Sequence, residues 1–248
     1  MNRLSRIWAE TKASWHSFLR QRTAIFFTFG FPLLLVGIFG VIVQTDPTGA
    51  GLFARPVGYY VPGYLAVIVL FTPLSRIGST VARYRDRRQF EKLATTPLSG
   101  AEWLGAHTIV NTGIILLASG LVLAVLMALT DAQITLSLFL VPFIVAGVVV
   151  FVGLGAILGR IADSRDGVIA ASNSVALPLV FLSDTFVAPD QLPAWGSLLI
   201  ELSPLTYFAR GVRQVTYQQA PATSELLVLV GFAILFFVLG AVAVPQPD

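Results

Sequence analysis

A chain of 248 residues with 56% hydrophobic and only 12% charged positions lies far from the roughly 25% charged residues of a soluble domain, which excludes a water-soluble globule. The absence of cysteine excludes disulfides and thiolate metal sites. The net charge of +3 is small, so what matters is where the charges fall.

Residues 1–22 read as an interfacial amphipathic helix. Leu4, Ile7, Trp8, Trp15, Phe18 and Leu19 recur at helical spacing, while Arg3, Arg6 and Glu10 take the other face. Trp and Arg suit the headgroup layer of a membrane. More than twenty mixed residues precede the first apolar run, unlike a cleavable signal, so the first span is expected to stay in the protein.

Six stretches free of Asp, Glu, Lys and Arg follow, at 23–43, 57–75, 106–130, 132–159, 167–183 and 226–244. About 20 apolar residues cross the hydrocarbon layer as a helix. The expected fold is an all-α membrane protein with six transmembrane helices in a single domain spanning 1–248. The fifth stretch is the shortest and carries Pro178 mid-run, so both a full crossing and a re-entrant turn stay open.

Thirteen of the sixteen Lys and Arg residues flank one side of these spans; Arg55, Arg210 and Arg213 fall on the other. The positive-inside rule then places both termini in the cytoplasm of a multi-pass protein of the cell membrane. Residues 76–105 form the main inward loop. Arg83 to Lys92 is a charged run expected to be helical, Thr95-Thr96-Pro97 breaks it, and Ser99 with Glu102 forms a capping box opening the next helix. A helix, a break and a helix make a rigid elbow.

The outer segment, 184–225, is amphipathic: Trp195, Leu198, Leu199 and Leu202 sit at i, i+3, i+4 and i+7, punctuated by Pro189, Pro193 and Pro204. Two short helices over the outer leaflet fit that pattern. Trp195, Tyr207 and Phe208 are candidates for an outer gate, with interfacial anchoring as the ordinary alternative.

No G-x-x-x-x-G-K-[ST] occurs, so the chain has no phosphate cradle of its own and any ATP energy comes from a partner. His16 and His107 lack ligand spacing and read as interfacial polar residues. Paired carboxylates, or a nucleophile with its base, are missing from the spans, so the chain is not expected to be an enzyme by itself. Uncharged spans also argue against a proton-driven carrier. Asn111, Ser172, Asn173 and Phe181 are candidates for a substrate pathway, the amides also serving as interhelical glue. Gly155 and Gly159 form G-x-x-x-G, a close-packing pair within or between chains.

Two motifs carry a resemblance. FEKLATTPLS holds Glu91, Leu93 and Pro97 at E-x-L-x-x-x-P spacing, and the outer segment holds Leu192-Pro193-Ala194-Trp195 and Ser203-Pro204-Leu205-Thr206-Tyr207. In a six-span layout these resemble the permease subunit of ABC type-2 exporters, the family of drug, polysaccharide and lipid export permeases. Where that family often has Gly-Thr before the glutamate, this chain has Arg88-Gln89-Phe90.

The resemblance implies a coupling segment that docks on an ATPase, here Arg87, Arg88, Phe90, Glu91, Lys92, Leu93, Thr96, Pro97 and Leu98. It also implies a re-entrant helical hairpin before the last span. The expected partners are two copies of a cytoplasmic ABC ATPase, a second permease copy, identical or not, and membrane lipids, with no nucleic acid. No cofactor is expected on the chain directly; ATP and Mg act through the ATPase. The implied function is outward, alternating-access movement of a hydrophobic or amphipathic drug, lipid or glycan. An ion-driven secondary carrier and a non-transporting membrane scaffold are the alternatives.

Overall fold

The computed structural model describes residues 2–42, 55–130, 132–183, 185 and 196–244, which are mostly helical and contain no strand. Helix α1, Arg3–Leu19, starts at Asn2, whose Oδ1 accepts the Ser5 N–H at 2.9 Å, satisfying one orphan donor of the first turn. Helix α2, residues 22–42, alternates α and π turns. Pro32 lacks an N–H and crowds the carbonyl four residues back; the π turn Phe26–Gly30 just before it widens the ladder there.

Helix α3, Val61–Asp86, follows the 3-10 turn Val57–Tyr60. It runs well past residue 75, where the uncharged stretch ends, and so carries Arg76 and Arg83 inside a helix. Next come α4, Gln89–Ala94, α5, Gly100–Leu129, α6, Leu140–Ile161, and α7, Arg165–Phe181. Helix α8, Gly196–Leu202, α9, Pro204–Arg213, with a π turn Gln214–Gln218, and α10, Thr223–Ala243, complete the described chain.

Among the described residues, five helical segments are long and apolar enough to cross a membrane: Arg22–Gly40, Val57–Asp86, Gly100–Leu129, Leu140–Ile161 and Thr223–Ala243. The chain is a multi-pass membrane protein. The fifth expected span corresponds to α7, a continuous helix of 17 residues with Pro178 inside it, about 25 Å long at the usual rise.

Three expectations change. The charged run Arg83 to Lys92 is two helices, because the chain turns at Arg88. The fourth span starts at Leu140 and not at residue 132: Gln133, Thr135 and Ser137 alternate with Ile134, Leu136 and Leu138, a two-residue period that does not favour a helix. That segment is tied to the outer part of the chain, Thr135 N–H donating to Thr216 O and Gln219 Nε2 to Thr135 Oγ1, both at 2.9 Å. Finally, α9 is sunk into the bundle and does not lie over it; Phe208 is fully buried.

The hub is α6, which packs on α3, α5, α7, α9 and α10. Glycines set its spacing. A Cβ at Gly155 would come 2.7 Å from Leu74 O and one at Gly159 2.5 Å from Gly78 O, so these two residues seat α6 directly on the α3 backbone. On the α10 side, a Cβ at Gly153 would collide with Phe236 O, and one at Gly240 would stand 2.7 Å from the Gly153 Cα.

Candidate functional site

The elbow is built from the end of α3, all of α4 and the start of α5. Arg88 adopts left-handed geometry, φ 51° and ψ 34°, at a cost of roughly 1–2 kcal/mol for a residue with a Cβ. Strain of this kind persists where surrounding contacts over-determine it. The contact here is Phe90, which is buried with its ring centroid 5.5 Å from Tyr84 and 5.6 Å from Trp103; Tyr84 and Trp103 stand 5.8 Å apart. Three rings from three helices thus key α4 under the bundle, in the tilted and edge-on arrangements that aromatic quadrupoles favour.

The other elbow candidates divide by side. Glu91, Lys92, Thr96 and Pro97 are exposed, as are Arg87 and Arg88; Leu93 and Leu98 are half-buried and pack on the core. Thr96 Oγ1 donates to Leu93 O at 2.6 Å, closing the last turn of α4. Helix α5 then opens with its capping box: Ser99 Oγ accepts the Glu102 N–H at 3.2 Å, and Glu102 Oε2 accepts the Ser99 N–H at 2.9 Å.

A polar line continues from the aromatic anchor. Trp103 packs on His107 with centroids 4.1 Å apart, and His107 is buried, contrary to its reading as an interfacial residue. Its Nε2 lies 3.3 Å from Glu10 Oε1, and its Nδ1 3.1 Å from Ser14 Oγ. Arg76 donates to Ser14 O and Oγ at 3.4 Å and to Asn111 Oδ1 at 3.2 Å. Guanidinium offers donors only, so Ser14 Oγ accepts from Arg76; the Glu10 carboxylate accepts only, so a neutral His107 ring carries its hydrogen on Nε2 and its Nδ1 accepts the Ser14 hydroxyl hydrogen. The ring proton then sits on Nε2, facing Glu10. Arg76 also lies 4.9 Å from the Phe18 ring centroid, a cation–π contact.

Helix α1 is therefore fastened to α3 and α5 along its length, with Arg6 Nη2 donating to Glu102 Oε1 at 2.6 Å near the start. Both side chains of that pair are mostly shielded, at 18% and 11% exposed. A double-mutant cycle of Arg6→Ala and Glu102→Ala, read by thermal unfolding in detergent, is expected to show non-additive losses, the double variant losing less than the sum of the two single ones. Additive losses would show that the pair does not hold α1.

The pathway candidates do not converge within one chain. Asn111 is fully buried against Arg76, and its Nδ2 donates to His107 O at 2.7 Å. Ser172 is buried on the face of α7 that carries Val168, Ala176 and Val180, whereas Asn173 and Phe181 are on its exposed face. Of the outer-gate candidates, Tyr207 is half-buried and its hydroxyl donates to Glu201 O at 2.9 Å. Phe208 fills the space left by Gly147, and Trp195 lies outside the described residues. Among the described residues no group of three His, Asp or Glu side chains is arranged to hold a metal.

Sequence reasoning did not find Glu10, Ser14, Arg76, Tyr84, Trp103 or His107. One signal was local: Trp103 and His107 are four apart, on one face of α5. The others meet only in three dimensions.

Comparison with known proteins adds two findings. A family model described as ABC-2 type transporter matches residues 5–217. A daunorubicin resistance ABC transporter permease protein, DrrB1, of Streptomyces coeruleorubidus is 31% identical over 65 residues. That match spans 26% of this chain and only 23% of the relative.

Proposed function

Because this chain belongs to the ABC-2 type transporter family, we propose that it is the membrane permease of an ATP-driven exporter whose ATPase is a separate subunit. The observation that carries the reading is the elbow: a six-residue helix, Gln89–Ala94, with charged residues outward and Phe90 keyed between Tyr84 and Trp103. An ATPase closing beneath it would push on Glu91 to Leu98, and the push would pass through Trp103 into α5 and through Tyr84 into α3.

Two permeases would complete the pathway. The exposed face of α7 presents Asn173, an amide that needs a partner in a membrane, together with Leu177 and Phe181. A second copy facing that side would supply one. The apolar spans and the drug-resistance relative favour a hydrophobic or amphipathic cargo moved outward, with the elbow in the cytoplasm.

The test is recovery of the chain from gently solubilised membranes with whatever ATPase it holds, followed by nucleotide turnover and transport in reconstituted vesicles. Glu91→Lys and Leu93→Asp are each expected to lower coupled transport about ten-fold or more, equivalent to ~1.4 kcal/mol of lost positioning, while the chain still inserts. Unchanged coupled turnover in both variants would remove the elbow from the mechanism. Transport driven by an ion gradient without any ATPase would overturn the exporter reading altogether.

A further inference from the structure

At the elbow end of the bundle, the last turns of α3, α6 and α10 leave an open cleft of about 850 Å³. One wall is apolar and includes Phe237, Val238 and Val242. These residues close the membrane helix α10, and Val238 and Val242 are 54% and 80% exposed. The other wall carries Arg85, Arg88 and Arg160.

The three arginines are not equivalent. Arg85 is occupied, donating to Arg160 O at 2.7 Å and to Ala162 O. Among the described residues the Arg88 side chain meets Glu91, at 3.9 Å, with both side chains well exposed. Arg160 is exposed, and its side chain has no partner among the described residues. Among the described lining residues, Glu91 is the one carboxylate against three arginines, a positive excess.

We propose that this cleft binds an anionic phospholipid, its phosphate held between Arg88 and Arg160 and an acyl chain laid along α10. Guanidinium recognises phosphate through paired donors, and the volume lies within the range of small-molecule sites. The occupant is a lipid and not a protein segment because the apolar wall continues the exposed apolar surface of the membrane helix α10, where Leu227, Ile234, Leu235 and Leu239 are also exposed. Cation and hydrocarbon meet at one level, where headgroup and chain meet in a bilayer. A zwitterionic lipid would match the apolar wall but leave the charge excess unanswered. The inference stands without the transport reading, because binding is measured on the permease alone.

The experiment takes the purified full chain in detergent and adds phosphatidylglycerol, phosphatidylcholine or glycerol 3-phosphate, with native mass spectrometry reporting what stays bound. Phosphatidylglycerol is expected to be retained above phosphatidylcholine, and glycerol 3-phosphate, which has the phosphate without the chains, to be lost. Arg160→Gln is expected to weaken phosphatidylglycerol about five-fold, the usual effect of one basic residue at an anionic surface. Arg160→Glu should weaken it further, to the phosphatidylcholine level. Val242→Gln, which keeps every charge, should also lower retention. The proposal is overturned by equal retention of the two lipids, by phosphatidylglycerol binding that ignores Arg160→Glu, or by glycerol 3-phosphate held as well as the lipid, which would make this a site for free phosphate.

Discussion

On the proposed exporter reading, Phe90→Ala is expected to lower ATP-coupled transport by about ten-fold or more, the effect of losing ~1.4 kcal/mol of positioning, while the chain still inserts. Truncating a buried Phe in a core costs about 3–5 kcal/mol. Here the loss falls on α4, six residues long, and a helix that short does not persist in water without tertiary support. The bundle, held elsewhere by α6, survives; the elbow helix comes away from Tyr84 and Trp103. Protease cleavage between Arg87 and Pro97 should rise in parallel. Phe90→Leu, which keeps most of the volume and typically costs under ~1.5 kcal/mol, should restore coupling. Full coupling in Phe90→Ala would show that the aromatic anchor does not transmit force.

Gly153→Leu is expected to prevent recovery of a folded chain, and Gly153→Ala to destabilise it by about 1–3 kcal/mol, the range for overpacking a tight interior. The obstacle is backbone: a Cβ at Gly153 overlaps Phe236 O and lies 3.0 Å from Phe237 N. A side chain in the way would rotate, but a carbonyl in a helical ladder does not, so α6 and α10 must separate along their whole contact. Gly231 on α10 is the control, with nothing within 4 Å of its added Cβ; Gly231→Ala should leave stability unchanged or raise it by up to ~1 kcal/mol, the helix-propensity gain of Ala over Gly. Equal thermal unfolding of Gly153→Ala and Gly231→Ala would refute the close-packing argument.

Much of the helical layout was legible because a bilayer demands length and forbids charge, and both are one-dimensional properties. The same rule fails where its premise is loose. Residues 132–139 are uncharged, so a charge count joins them to the fourth span; only the alternation of Gln133, Thr135 and Ser137 hints that they are not helical. Arg76 and Arg83 mark the end of a span to a charge count, yet the helix continues because Arg76 finds Ser14 and Asn111 at a buried helix junction. At the elbow, the capping box of Ser99 and Glu102 was readable because its partners are three residues apart. The break at Arg88 was not, since no Gly, Pro or Asn announces it; the turn exists because Phe90 is drawn between rings on two other helices. The line from Glu10 through His107 to Arg76 joins residues up to 97 positions apart, and no local pattern encodes such a meeting.

The Arg85 side chain has a mechanical consequence. By bridging the last carbonyls of α6 from the end of α3, while Gly155 and Gly159 lie against Leu74 and Gly78, it welds the two most central helices into one strut. A load at the elbow cannot bend α3 alone; it swings both as a single lever. The displacement must then be absorbed by a neighbour with less to hold it: α2, whose two π turns give it a softer spine.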